Sequence, residues 1–317
     1  MKSVSPKKRT GGKIRKGLLQ KMKKDAFDSI HPIVEFAFFA FAIVLPMLLL
    51  HPVLIGISFF AALVWAAKLN GRRILDMLLK FIFPMMLVVA FLNPLFNHQG
   101  TTVLFYLKNN PVTLESVGYG LVSSMMFASV ILWFSCFNRI MQNDKIIYLF
   151  GRIAPSMSLI ITMALRFVPL FGKQIKRISL NEKCMGNLPS RGKMIEKIRS
   201  GLNILSAMIT WALESAIITS DSMRARGCGL SGRTSFSPYR FDARDIITGL
   251  LLALGIAAAG VSAGMKFISI KFFPSFEMNP FNIESAAFYL VYALTLLIPM
   301  ILNLREAIIW RSLKSKI

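Results

Sequence analysis

The chain has few of the residues that most catalytic and metal sites require. Its 317 residues include three cysteines, Cys136, Cys184 and Cys228, which can form at most one disulfide and match no zinc or redox spacing. The three histidines lie far apart, so no pair has metal-ligand spacing. No P-loop motif of the form Gly-x-x-x-x-Gly-Lys-Ser/Thr occurs, which argues against ATP binding through such a loop. We therefore expect no resident cofactor, no bound metal and no catalysis by this chain.

Acidic residues are also scarce. Only 15 Asp and Glu face 38 Lys and Arg, which leaves a formal net charge of +23. In addition, 55% of the residues are hydrophobic and the mean hydropathy is +0.58, which is too apolar for an ordinary soluble domain. A cleavable signal peptide is not expected, because the first 24 residues carry ten Lys and Arg and no apolar stretch. The composition leaves two classes of protein: a basic nucleic-acid binder, or a membrane protein with a basic cytoplasmic side.

Six apolar runs are long enough to cross a bilayer as helices. A hydrocarbon core of roughly 30 Å requires about 20 apolar helical residues. Runs of this kind occupy residues 33–50, 52–68, 74–92, 117–137, 246–264 and 286–304. The sequence therefore predicts an all-α integral membrane protein with about six transmembrane helices, four in residues 33–137 and two in residues 246–304. A basic N-terminal arm (1–32) and a basic tail (305–317) flank them.

The basic residues predict which side of the membrane each segment faces. Six spans place both termini on one side, and the segments on that side hold 34 Lys and Arg against three in the opposite loops, with Lys80 inside a span. By the positive-inside rule the basic side is cytoplasmic. The excess is spread over every cytoplasmic segment and has no recognition module, which favours contact with the lipid bilayer over nucleic acid. We expect a multi-pass protein of the cell membrane with both termini cytoplasmic.

Residues 138–245, between the fourth and fifth spans, contain two further helical patterns, at about 155–180 and 196–226. Both are apolar enough to suggest additional spans. As spans, however, they would move the eight Lys and Arg of residues 173–199 outside and place Arg166 and Glu214 in the hydrocarbon. We therefore interpret them as two long cytoplasmic helices that lie along or just below the membrane, with the first bent at Pro169.

The second of these helices ends in the basic sequence Met223-Arg224-Ala225-Arg226-Gly227. Glycine is the typical residue just beyond a helix C-terminus. An arginine at that end is favoured by the helix dipole, and its planar guanidinium suits a carboxylate or backbone carbonyls of another protein. An ordinary solvated arginine would give the same pattern, so the residues by themselves leave both interpretations open.

These motifs resemble the transmembrane T component of energy-coupling factor (ECF) transporters, the family that includes the cobalt-transport permease subunit. Arg166-Phe167-Val168-Pro169 is similar to an Arg-Phe-hydrophobic-Pro stretch in one of that family's two cytoplasmic coupling helices. Ala225-Arg226-Gly227, with Met223 before it and Arg233-Thr234 after it, is similar to the second of two Ala-Arg-Gly signatures at the coupling-helix ends. The resemblance covers roughly residues 33–310 and is most specific between residues 144 and 245.

The first Ala-Arg-Gly signature is degenerate in this chain. Its expected position falls on Cys184-Met185-Gly186, where methionine replaces the arginine and the glycine is kept. Lys183 is one candidate for the missing cation, although an ammonium group cannot make a two-pronged contact. Arg191-Gly192 is a second candidate in a less suitable register.

The resemblance implies a scaffold without a substrate pocket of its own. Two cytoplasmic ABC ATPases would dock on the coupling-helix ends, with Arg226 in a groove of one of them. A small membrane-embedded S component would bind the vitamin or transition-metal ion that is imported. The alternative from a different class is a membrane-protein insertase, or another multi-pass permease that works without ABC ATPases, for which Arg139 after the fourth span would supply the necessary buried arginine.

Overall fold

The computed structural model describes residues 26–71, 73–97, 99–107, 110–186, 194–228, 230, 239–265, 270–272, 277–278 and 282–314. These residues form helices and two small antiparallel hairpins, which confirms the predicted all-α membrane protein. The chain divides into two compact units. The first combines Met1–Asn143 with Tyr239–Ile317, and the second is Asp144–Pro238. The second unit lies within the segment 138–245 that the sequence set apart.

The helices are α1 (Pro32–Leu48), α2 (Pro52–Asn70), α3 (Arg73–Phe96), α4 (Leu114–Ile140), α5 (Asn143–Ile153), α6 (Pro155–Cys184), α7 (Met194–Ala225), α8 (Ala243–Gly264) and α9 (Ile283–Lys314). Strands β1 (Val103–Leu107) and β2 (Asn110–Thr113) form one hairpin, and β3 (Ile270–Lys271) and β4 (Glu277–Met278) form the other. The sequence did not predict these hairpins or α5 as elements of their own.

Every apolar run predicted to be a span is a helix in the structure, but several helices are longer than expected. Helix α4 extends to Ile140, and α9 continues to Lys314 rather than ending near residue 304. Most of the expected C-terminal tail is therefore helical. The reason is that a helix does not stop where its residues become polar, and residues 305–314 contain no glycine or proline that would end it.

Seven described helices are long and apolar enough to cross a membrane: α2, α3, α4, α6, α7, α8 and α9, with α1 as a shorter apolar helix. Length and composition therefore include the two long helices α6 and α7 among the candidates. Their cytoplasmic position stays a prediction that rests on the distribution of basic residues.

The first unit has a packed aromatic core. The Phe39 ring stacks on the Trp65 indole with centroids 5.5 Å apart, and Trp133 meets Trp65 edge to face at 5.7 Å. Buried hydroxyls complete this core, because the Trp133 Nε1–H donates to Ser58 Oγ at 2.9 Å and Ser58 Oγ lies 2.8 Å from Ser129 Oγ. Helices α1, α2 and α4 are thus joined by aromatic packing, and the hydrogen bonds of Ser58 link α2 to α4.

The start of α8 is capped by two acidic residues. Asp242 and Asp245 form a capping box, and the Asp245 carboxylate accepts the Asp242 N–H at 3.0 Å. The same carboxylate accepts the backbone N–H of His31 at 3.2 Å, while the His31 ring stacks on Phe241 at 3.8 Å. Asp245 therefore caps α8 and also joins the beginnings of α1 and α8.

Candidate coupling site

Helices α6 and α7 of the second unit pack with opposite chain directions. The Phe171 ring on α6 meets the Trp211 indole on α7 edge to face, with centroids 5.7 Å apart. Residues 163–170 of α6, which precede Phe171, line a groove with residues 211–226 of α7, which begin at Trp211. Starting from this contact, the groove follows decreasing residue numbers on α6 and increasing residue numbers on α7. The two helices are therefore antiparallel.

The contact between the two helices is a narrow seam. Less exposed residues on α6 recur every three or four positions along this seam, and they include Met163, Phe167, Phe171, Gln174, Ile178 and Glu182. Large apolar residues on the other faces are exposed, and they include Leu159, Ile160, Leu202, Leu205, Ile209, Leu213 and Ile217. The apolar residues of α6 and α7 are thus divided between the seam and a surface that needs lipid or protein to cover it.

The end of α7 has the hydrogen bonds of a Schellman motif. Gly227 adopts φ +73°, and its N–H donates to the Arg224 carbonyl at 2.9 Å. The Cys228 N–H donates to the Met223 carbonyl, also at 2.9 Å. Arg226 is therefore the C-cap residue, at the negative end of the helix dipole, where a cation is favoured. The sequence correctly predicted that Gly227 terminates this helix.

The end of α6 repeats this turn without the arginine. Met185 is the C-cap residue, Gly186 adopts φ +78°, and the Gly186 N–H donates to the Lys183 carbonyl at 3.2 Å. Cys184-Met185-Gly186 thus shares with Ala225-Arg226-Gly227 the left-handed glycine and the hydrogen bond that this glycine donates. The Met185 side chain is 65% exposed, so an apolar group occupies the surface position at which the other helix presents a guanidinium.

The two helix ends lie on opposite sides of the contact between Phe171 and Trp211. Met185 follows Phe171 by 14 residues and Arg226 follows Trp211 by 15, which correspond to roughly 21 and 22 Å along the helix axes. Because the helices are antiparallel, these distances extend in opposite directions. The arrangement can present two separate contacts, and it does not bring the two signatures into one site.

A groove of about 460 Å³ between α6 and α7 contains two arginines. Arg166 of α6 and Arg226 of α7, which are 60 residues apart in the chain, both line it. The other lining residues are hydroxyl-bearing (Ser215, Thr219, Ser222) or apolar (Met163, Phe167, Leu170, Trp211, Ile218, Met223). Among these described lining residues none is acidic. The sequence separately singled out both arginines and Met223, but it did not predict that they share a groove.

Other residues predicted to matter lie elsewhere. Pro169 is inside the continuous helix α6 and does not line the groove, and Lys183 is exposed near the opposite end of the helix pair. Arg139, on which the insertase alternative depends, is exposed in the last turn of α4 rather than buried. Arg233-Thr234 and Arg191-Gly192 lie outside the described residues. Within the described ranges, no group of three or more His, Cys, Asp or Glu could hold a metal ion.

Known proteins resemble the chain over much of its length. The family model for CbiQ, described as cobalt transport protein, matches residues 28–236. Three similar proteins are named energy-coupling factor transporter transmembrane protein EcfT. The one from Streptococcus thermophilus is 31% identical over 105 residues, 32% of this chain and 40% of that protein. The one from Staphylococcus aureus is 26% identical over 140 residues, 43% of this chain and 51% of that protein. The one from Streptococcus equi subsp. equi is 25% identical over 230 residues, 68% of this chain and 81% of that protein. The matches thus span about half or less of the first two relatives and most of the third.

Proposed function

Because this chain belongs to the CbiQ family of cobalt transport proteins, which are membrane components of transporters, we propose that it is the transmembrane T component of an ECF-type importer. In this role it is a non-catalytic subunit. Two cytoplasmic ABC ATPases hydrolyse ATP, and a membrane-embedded S component binds the imported vitamin or transition-metal ion. The three relatives carry the name of an ECF transmembrane protein, which supports the same assignment.

The observation that carries the proposal is the capped end of α7. The cap fixes the backbone on both sides of Arg226 through the two hydrogen bonds that Gly227 and Cys228 donate. A guanidinium held at a fixed helix end loses less conformational entropy when it binds than one on a mobile segment. It can also form two parallel hydrogen bonds with one carboxylate. We infer that Ala225-Arg226-Gly227 docks one ATPase.

The end of α6 supports an asymmetric arrangement of the two ATPases. It has the same glycine turn, but Met185 replaces the cation and Lys183 lies two residues earlier. We infer that the second ATPase meets this end through an apolar contact, with Lys183 as a point charge. The contact is therefore weaker and less dependent on salt than the one at Arg226.

The exposed apolar faces of α6 and α7 are the surface that we assign to the S component. Long helices whose outer faces carry large apolar side chains are costly to leave in water, so lipid or another membrane protein covers them. Closure of the ATPases on ATP moves the helix ends and shears this surface against the S component. Both termini and the second unit lie on the cytoplasmic side, as the basic residues predict.

Replacement of Arg226 tests the proposal. Arg226→Ala, in the complete transporter isolated from its own membranes, should lose one ATPase contact and abolish or strongly reduce uptake, while the variant still inserts into the membrane. Arg226→Lys should be intermediate, because lysine cannot make the two-pronged contact. Arg224→Ala is the matched control, since Arg224 is exposed two residues earlier and does not line the groove. Normal uptake and normal ATPase recovery in Arg226→Ala would contradict the proposal.

The degenerate signature can be tested in the opposite direction. Met185→Arg restores the missing cation at a helix end whose glycine turn is already formed. It should increase recovery of the second ATPase and make that recovery more sensitive to salt. An unchanged complex would show that the α6 end does not use this position for docking.

A further inference from the structure

We propose that a second groove, between α2 and α9, is a binding site for one acyl chain of a membrane phospholipid. This lipid groove has a volume of about 480 Å³ and is lined by six residues of α2, from Val53 to Val64, and by Ala293 and Leu297 of α9. It belongs to the first unit, whereas the coupling site belongs to the second. The inference therefore does not depend on the ATPase contacts assigned above.

The lining of the lipid groove excludes a polar ligand. None of the described residues that line it carries a polar or charged side chain. A polar molecule would lose its hydrogen bonds to water there and gain none from these side chains. Both helices are long and apolar enough to cross a membrane, so the hydrocarbon chains of lipids are their surroundings. The chemistry of the lining thus matches a hydrocarbon chain.

The groove is present because α2 and α9 do not pack closely at Gly56. A Cβ added at Gly56 would meet nothing within 4 Å. Gly255 of α8 is different, because a Cβ added there would lie 2.5 Å from Thr295 Cγ2 of α9. Gly255 therefore allows close packing of two helices, as small residues of membrane helices commonly do. Gly56 instead leaves space beside α9, and a methylene chain in this space restores the dispersion contacts of the atoms that line it.

The dimensions of the groove suit a single chain. Val64 follows Val53 by 11 residues, which corresponds to roughly 16 Å along the helix and is close to one leaflet of a hydrocarbon core of roughly 30 Å. A volume of about 480 Å³ over this length gives a mean cross-section of roughly 30 Å², whereas an α-helix about 10 Å across occupies roughly 80 Å². The groove is therefore too narrow for a helix of another membrane protein.

A polar pair lies beyond one end of the groove and gives the chain a direction. Tyr289 Oη lies 3.2 Å from His51 Nε2. His51 immediately precedes α2, and Tyr289 precedes Ala293 by one helical turn. At the other end the lining stops at Val64, before the end of α2. The geometry thus directs the ester end of the lipid toward His51 and Tyr289, where the chain leaves the span, and the methyl end of its acyl chain toward Val64.

Photolabelling of the complete protein in nanodiscs tests the site. The probes are two phosphatidylcholines with a diazirine near the ester end or near the methyl end of one acyl chain, and mass spectrometry identifies the labelled peptides. We expect residues 53–64 of α2 to be labelled more strongly than the exposed residues Leu79 and Phe91 of α3, which contact ordinary surrounding lipid. The ester-end probe should label near Val53, and the methyl-end probe should label near Val64.

Gly56→Leu fills the groove, because its side chain extends into space that no other atom occupies. Labelling of α2 should then fall to the level of α3. Gly260→Leu is the matched control, since Gly260 is exposed on α8 and a Cβ added there also meets nothing within 4 Å. Leucine favours a helix more than glycine does, so both variants should fold, and the control should keep the labelling of the unsubstituted protein.

Three results would overturn the inference. Equal labelling of α2 and α3 in the unsubstituted protein would mean that only surrounding lipid touches the groove. Unchanged labelling in Gly56→Leu would place the chain outside the groove. Loss of a protein subunit from the isolated Gly56→Leu complex, without preferential labelling of α2 in the unsubstituted protein, would assign the groove to that subunit. If the two probes label in the reverse order, the direction given to the chain is wrong.

Discussion

Replacement of Gly227 by alanine should uncouple the end of α7 while leaving the rest of the protein intact. Gly227 adopts φ +73°, a conformation that alanine disfavours because its Cβ approaches the following carbonyl oxygen. A Cβ added at Gly227 would also lie 3.1 Å from Leu230 Cδ1. Opening of the turn would break the two cap hydrogen bonds and release the backbone that holds Arg226.

The size of the effect follows from these two contacts. The left-handed conformation costs alanine about 1–2 kcal/mol. The contact with Leu230 adds little, because the atom approached is the end of a flexible side chain. A change of 1–2 kcal/mol corresponds to a factor of about 5–30 in the population of the capped conformation. If docking requires the capped conformation, this factor is the largest loss of affinity for the ATPase, because the affinity follows the fraction of protein that is capped.

Two measurements check this expectation. Hydrogen exchange should show faster exchange at the amides of Gly227 and Cys228, and a titration with the ATPase pair should show a loss of affinity of up to about 30-fold. Gly227→Asn should recover part of both, because asparagine tolerates the left-handed region. Gly201→Ala is the control, since Gly201 is inside α7 and a Cβ there meets nothing within 4 Å. Unchanged amide exchange together with unchanged affinity in Gly227→Ala would refute the reasoning.

Three further predictions concern topology and stability. A membrane-impermeant maleimide should label Cys184 and Cys228, which are exposed, only after cells are permeabilised, and should not label the buried Cys136; labelling in intact cells would contradict the proposed topology. In the folded protein, burial lowers the pKa of His51 below its ordinary value of 6.5. As the pH falls, His51 therefore becomes protonated in the unfolded chain first, and the stability that is present above pH 6.5 is lost. The melting temperature should therefore drop from about pH 7.5 to about pH 5.5, and drop less in His51→Gln; equal drops would assign the effect to other groups. Asp245→Asn should lose about 1.5–3 kcal/mol of stability, because one amide oxygen replaces a carboxylate that accepts two backbone N–H groups, and an unchanged melting temperature would refute this.

Much of the fold could be predicted because its determinants are local. Long apolar runs predicted every apolar helix of the first unit from α1 to α4 and from α8 to α9. Helix ends were less predictable where a helix continues through polar residues, as α9 does to Lys314. The β1–β2 hairpin was missed because its pairing joins Val103 to Thr113 across a loop, and the sequence alternation there is too short to indicate strands.

The candidate site divides in the same way between local and long-range causes. The amino-acid sequence alone determined the glycine turn after Arg226, because a helix end depends on a few consecutive residues. Only the tertiary structure decided that Arg166 and Arg226 line one groove, since that depends on how α6 and α7 pack through Phe171 and Trp211. Helical periodicity says which residues share a face of one helix. It does not say which residue of a second helix lies opposite, because side-chain packing sets the direction and register of the pair.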